Sequence, residues 1–305
     1  MDHRNQIRDF LSTRRGRITP EQAGLVAFGG NRRVPGLRRE ELAMLAGVSV
    51  DYYTRIERGN LKGVSESVLH ALAEALRLDD AERAHLFDLA RTAGEAPGRP
   101  RRRSARQRVR PGVQRILDAM TGAPAVVQNG RLDILAANRL GRALYAQVLD
   151  MSGRPANYAR FAFLDPRARD FYPDWERAAN DTVAVLRTGV GRDPYDRALS
   201  DLVGELSTRS EDFRTRWAAH NVHQHRTGTK TMHHPVVGRL ELGFEAMELT
   251  ADPGLSLFAY SAEPGSPSAE GLDLLASWAV TSERERDGAP AADGDPAASS
   301  PRSDA

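Results

Sequence analysis

The stretch from Arg39 to Gly59, REELAMLAGVSVDYYTRIERG, constrains this chain more than any other. Leu42, Ala43 and Ala46 fall at helical spacing and share one face. Gly47 follows, the residue type that a left-handed helix stop requires. Val48 plugs the corner, and Ser49 is an N-cap for a second helix, its hydroxyl placed to accept from an open backbone N–H. In that second helix Tyr53 and Ile56 turn back on the first, which leaves Ser49, Val50, Asp51, Thr54, Arg55 and Arg58 outward. Two short helices about a tight corner, the second with a small, polar and basic outer side, predict a helix-turn-helix whose second helix lies in the DNA major groove. A helical hairpin that merely packs explains any one of these residues. It does not explain small residue, turn glycine, plug, cap and inward isoleucine at their offsets together.

The neighbouring segments supply the rest of a small all-α domain over residues 1–93. Ile7, Phe10 and Leu11 form a stripe in a helix from Asn5 to Thr13. Val68, Leu69, Leu72, Ala73 and Leu76 mark a helix from Ser65 to Leu78, and Asp80 is placed to cap a last one carrying Leu86, Leu89 and Ala90. If the helix-turn-helix reads DNA, base edges fall to Ser49, Val50, Asp51, Thr54 and Arg55. Arg32, Arg33, Arg38, Arg39 and Arg58 are the candidates for phosphates, contacts that orient without reading sequence. The charge agrees: residues 1–111 carry 22 Arg and Lys against 14 Asp and Glu, while the remainder is net acidic. Residues 94–112, with three Pro, three Gly and a dense Arg run, read as a basic linker.

The back domain, 113–282, opens with a helix from Val113 to Met120. Two extended apolar runs flank Asn129-Gly130, the signature of a hairpin. Helical period returns from Ala136 to Ala146. It recurs after Pro173, where Trp175, Ala179, Val183 and Leu186 line one side, and again over Tyr195–Leu206 and Glu211–His220. Strands are expected from Val222, over Arg239–Leu249 and over Leu255–Ala262, then a closing helix from Ser268 to Ala279. Strands at both ends with helices between predict one mainly antiparallel sheet under a helical layer, an α+β domain. Residues 283–305 have almost nothing to bury and read as a disordered tail.

Several classes of function find no support. No run of about 18 apolar residues is present for a membrane span, and the N-terminus lacks the apolar segment of a signal peptide. Zero cysteines removes disulfides and thiolate chemistry, and a cytoplasmic protein is expected. His220, His223, His225, His233 and His234 fall close together, but no metal-binding frame organises them. No nucleophile elbow, P-loop or dinucleotide fingerprint appears, so neither a catalytic residue nor a cofactor is assigned. Asp165, Asp170, Asp174 and Glu176 lie beside Arg167, Arg169 and Arg177, which surface ion pairing explains. The aromatics Phe161, Phe163, Tyr172, Trp175, Trp217, Phe244 and Phe258 are the candidates to line an apolar ligand cavity, with His220 or Arg160 to anchor a head group.

The run VPGLRREELAMLAGVSVDYYTRIERGN closely resembles the Cro/CI-like, xenobiotic-response-element type of helix-turn-helix found in MmyB-like regulators. LDILAANRLGRALY, FLDPRARDFYPDWERAANDTVAVLR, RTGTKTMHHPVVGRLELGFEAM and AEPGSPSAEGLDLLASWA resemble the ligand-binding domain that accompanies it. The resemblance implies a transcriptional regulator with a PAS-like sensor for a small, apolar or acyl-like molecule such as a fatty acid, a double-stranded DNA operator as partner, and a homodimer. The chain departs from the family at His223-Gln224-His225, where charged residues such as Arg and Glu are expected. Two other readings of the back half remain: a protein-interaction module without a small-molecule site, marked by a large exposed apolar patch, and an enzyme, marked by close, tuned polar groups in a cavity.

Overall fold

Helix starts in the front domain are set by short polar side chains at the places where backbone N–H groups would otherwise be open. A computed structural model describes residues 3–25, 36–94, 107–151, 155–219 and 227–288. Five helices form the front domain: α1 (His3–Arg17), α2 (Arg39–Leu45), α3 (Val50–Glu57), α4 (Glu66–Ala75) and α5 (Asp80–Gly94). Glu41 reaches back to the Arg38 N–H at 2.6 Å, Ser49 Oγ accepts from Tyr52 N at 3.1 Å, and Ser65 Oγ accepts from Val68 N. Gly47 takes φ +65, as the corner demands. Asp80 does not cap α5. Asp79 does, accepting from Glu82 N at 2.8 Å while Glu82 reaches back to its N–H. The shift follows from Leu78, which is buried and holds the preceding residues in the core. Ile7, Phe10, Leu11, Leu42, Ala43, Tyr53, Ile56, Leu72, Leu86 and Leu89 share that core.

The expected linker is shorter at its far end. Gln107 Oε1 accepts from Asn129 Nδ2 at 3.0 Å, Arg110 pairs with Asp252 at 2.8 Å, and α6 already begins at Pro111 (Pro111–Ala119). A five-stranded antiparallel sheet follows, in the order β2-β1-β5-β4-β3. Its strands are β1 (Ala125–Asn129), β2 (Ile134–Ala137), β3 (Thr227–His234), β4 (Gly238–Glu248) and β5 (Leu255–Ser261). The β1–β2 hairpin is present, but its turn is longer than Asn-Gly alone. Asn129 Oδ1 accepts from the N–H groups of Arg131 and Asp133 at 3.0 Å each, and Leu132 takes a positive φ. The expected helix from 136 gives way to strand up to Ala137. Asn138 then caps α7 (Arg139–Leu144), accepting from Gly141 N at 2.7 Å while its amide donates to the carbonyls of Met120 and Ala123. That leaves this buried asparagine fully engaged.

The helical layer comprises α7, α8 (Ala146–Leu149), α9 (Tyr158–Leu164), α10 (Ala168–Phe171), α11 (Trp175–Arg192), α12 (Arg197–Arg209) and α13 (Glu211–Ala218). It packs on one face of the sheet, and the last helix, α14, runs Pro267–Gly288, past the point where a structureless tail was expected to begin. Over β1 and β5 the sheet is covered on its second face as well. Val113 and Leu117 of α6 pack on Ala125, Val127, Leu255 and Leu257, which is why every residue of β1 is buried.

The two domains touch through α5 and α11. Thr92 Oγ1 donates to the Gly191 carbonyl at 3.3 Å, and Arg192 lies 3.6 Å from Asp88. A Cβ at Gly191 would meet the His85 ring at 2.5 Å, so the approach requires a residue without a side chain.

Candidate nucleic-acid interface and sensor core

The outer side of α3 is built from the inside out. Glu57, on its inner side, is buried, and a lone carboxylate there would be costly. It is held by Arg15 Nε at 2.7 Å, by Arg39 and by the Tyr53 hydroxyl at 3.1 Å. Burial, reinforced by the Glu57 charge, pushes the Tyr53 pKa far up, so the phenol remains a donor. This network ties α1, α2 and α3 together and fixes the turn. Outward, Val50, Asp51, Arg55 and Arg58 are exposed and Thr54 is half-buried. The Arg55 guanidinium lies 4.8 Å from the Tyr52 ring centre, a cation–π contact that holds it along the helix surface. Asp51, Thr54, Arg55 and Arg58 line a notch of about 440 Å³ together with Arg4 and Asn60.

The structure thus brings four of the candidate DNA residues to one notch. Ser49 sits at the head of the same helix with its hydroxyl engaged as the cap. Arg38 is exposed, Arg39 is engaged by Glu57, and Arg32 and Arg33 lie outside the described residues. Glu57 and Arg4 were not legible as site residues, because their partners are set by tertiary packing.

In the back domain the seven candidate aromatics divide into two groups. Trp175, Phe163 and Trp217 join Phe213 under a set of arginines: Arg169 lies 3.9 Å from the Trp175 ring centre and Arg187 4.2 Å from that of Trp217. Arg187 is buried, and that burial, with the nearby charge of Arg14, pulls its pKa down to about 10. Phe161, Tyr172, Phe244 and Phe258 belong instead to an inner group with Phe171, Tyr145, Tyr158 and Tyr260. There the hydroxyls of Tyr145 and Tyr260 are 2.8 Å apart. The Tyr158 hydroxyl is buried and makes no hydrogen bond of good geometry. Burial raises the pKa of Tyr145 and Tyr158 well above the phenol range. Lys230, on β3, reaches over the Phe244 ring, and burial lowers its pKa to about 8 against the opposing pull of Asp181.

Arg160 is engaged by Glu205 at 3.0 Å, and Arg167 by Asp165 at 2.6 Å. His220, His223 and His225 lie outside the described residues. His234 is buried, with Nδ1 accepting from Val236 N and Nε2 facing the Ala143 carbonyl at 3.1 Å. That fixes Nε2 as the protonated nitrogen of a neutral ring. No group of three possible metal ligands occurs among the described residues, and none of the described helices is long and apolar enough to cross a membrane.

A helix-turn-helix head on a separate α+β body defines a DNA-binding regulator with a ligand-binding domain. Residues 6–86 match the family model of a helix-turn-helix domain, and residues 109–275 match that of the MmyB-like transcription regulator ligand binding domain. The second match covers more than half of the chain, and the chain belongs to the MmyB-like transcription regulators. Both domains are transcription-regulator domains, which point to a non-enzymatic role. Comparison with curated proteins finds no match.

Proposed function

We propose that this chain is a one-component, XRE-type regulator in which α3 reads an operator and a PAS-like back domain sets the affinity. The single observation that carries the reading is the outer side of α3, where Asp51, Thr54, Arg55 and Arg58 converge on one open notch. Val50, Asp51, Thr54 and Arg55, with Ser49 at the helix start, meet base edges, and Arg32, Arg33, Arg38, Arg39 and Arg58 meet phosphates. Asp51 stays off the backbone and accepts from a cytosine amine. A cytoplasmic homodimer places two such helices about 34 Å apart on a two-fold related site.

The effector is a small molecule with an apolar or acyl-like body, held within the inner aromatic group. Tyr158 supports this, since its buried hydroxyl makes no hydrogen bond of good geometry to the protein and can donate to a polar group of such a molecule. Lys230 is suited to a negatively charged end of such a molecule. The route to the head is α11, whose Trp175, Ala179, Val183 and Leu186 enter the sensor core while its far end grips α5. An effector acts through this route only by binding the two arrangements of the domains unequally.

The test is selection of a duplex from a random pool by the full-length protein, followed by Arg55→Ala. The variant loses roughly 1–3 kcal/mol on the selected duplex and much less on a scrambled one. Equal losses on both would demote Arg55 to a backbone contact. A second reading makes the back domain a protein-docking module, favoured by Ile116 and Leu274, which stand 59% and 64% exposed. Native mass spectrometry separates the two, since a retained small molecule supports the sensor and a stripped, ligand-indifferent protein supports the module.

A further inference from the structure

Arg4 lies in the first turn of α1, far in sequence from the reading helix, yet it lines the same notch. Gly59 makes this possible. It stands just past Arg58, the residue that ends α3, with φ +93, and a Cβ there would stand 2.5 Å from the Arg4 carbonyl oxygen and 2.7 Å from its Cα. Only a glycine lets the start of α1 close on the end of α3 in this way.

The notch then has two unlike ends. Asp51, Thr54 or Arg55, and Arg58 succeed one another by about one turn each, so Asp51 and Arg58 stand roughly 10 Å apart along the axis. The only carboxylate of the notch sits at the start of α3, whereas Arg4, Arg58 and the Asn60 amide follow its end. An anion is repelled from the first end and attracted to the second.

We infer that Arg4 and Arg58, with Asn60, form a seat for one phosphodiester of the DNA backbone at the C-terminal end of α3, leaving Thr54 and Arg55 to the bases. This rests on the DNA-reading assignment above and adds to it a residue outside the helix-turn-helix. Arg4 fixes how far α3 slides along the groove, because it fastens the end of the helix that carries no base contact.

Fluorescence anisotropy on full-length protein tests the seat, using the selected duplex and a scrambled one over a series of KCl concentrations. Arg4→Ala weakens both duplexes alike, about tenfold at low salt, and lowers the slope of log K against log salt by roughly one. Arg4→Lys keeps most of the slope, since the charge remains. A methylphosphonate at the contacted phosphate cancels the difference between wild type and Arg4→Ala. An unchanged slope, a loss confined to the selected duplex, or an equal fall in melting temperature for the Ala and Lys variants would each overturn the seat. Wild-type protein that binds neither duplex would instead sink the DNA-reading assignment itself.

Discussion

The head and the body of this protein handle buried polarity in opposite ways. In the head, the deepest charge, Glu57, is held by Arg15, Arg39 and Tyr53, and Asp51, Arg55 and Arg58 stand exposed on the outer side of α3. In the body the outer charges are paired with one another, as Asp165 with Arg167 and Glu205 with Arg160, while a hydroxyl without a hydrogen bond of good geometry, that of Tyr158, lies inside. A site for a large, charged, external partner must sit on a surface held rigid from behind. A site for a small apolar partner must be enclosed, and so draws on groups of the core.

The sharpest way to break this comparison is Glu57→Ala. It strands the Arg15 guanidinium, which is largely buried, and releases Arg39 and Tyr53. The head should lose about 3 kcal/mol, the range for removing one side of a buried pair, discounted for the exposure of Arg39. Thermal unfolding followed by circular dichroism should show an early helical transition while the body melts as before. A single unshifted transition would mean that Glu57 does not hold the head together.

Gly191→Val comes next and addresses the contact between the regions. The new side chain collides with the His85 ring, and overpacking of this kind costs roughly 1–3 kcal/mol. Head and body should separate, with faster proteolytic cleavage between residues 94 and 107 and loss of any effect of bound small molecule on DNA affinity. Retained coupling would show that the signal does not pass through α5 and α11.

These two positions also show what could be read from the chain and what could not. The α2–α3 corner was legible because its determinants, Gly47, Val48 and Ser49, are consecutive and each acts on its neighbours. The β1–β2 hairpin was legible for the same reason, although its turn extended to Asp133 once Asn129 bonded forward along the chain. Glu57 looked like one more helix-surface charge, because the partner that buries it, Arg15, is 42 residues away. The candidate aromatics were found by type, but type does not say which face of a core each joins. Phe163, Trp175 and Trp217 therefore part from Phe244 in the fold, and Tyr145, Tyr158 and Tyr260 join Phe244 from outside the candidate set. The Tyr145–Tyr260 bond spans 115 residues, a separation over which local pattern carries no information.

A smaller effect is expected at Tyr158. Removing a buried hydroxyl that makes no hydrogen bond of good geometry relieves a desolvation cost, so Tyr158→Phe should leave the body unchanged or stabilise it by up to about 1 kcal/mol. If the hydroxyl serves an effector, the same variant should lose the small molecule that wild type retains in native mass spectrometry. Destabilisation would mean that the hydroxyl is satisfied in the folded body, and the contrast drawn between the regions would fail there.

The smallest effect separates the regions by pH. His234 is buried in the body, and burial holds its pKa below the ordinary histidine value of about 6.5. The unfolded chain therefore binds this proton before the folded one does. Stability from this group is complete above the unfolded pKa and is lost as pH falls from there toward the folded value. The head contains His3, His70 and His85 but none with this arrangement, in which Nδ1 accepts from a backbone N–H and the ring cannot take a second proton without breaking that bond. The body should thus soften first as pH falls below the ordinary histidine value of about 6.5. His234→Gln keeps a donor for Ala143 without a titrating ring, and it should flatten that pH dependence. Equal acid sensitivity in wild type and variant, with the body still melting first, would assign the softening to the paired carboxylates of its surface instead.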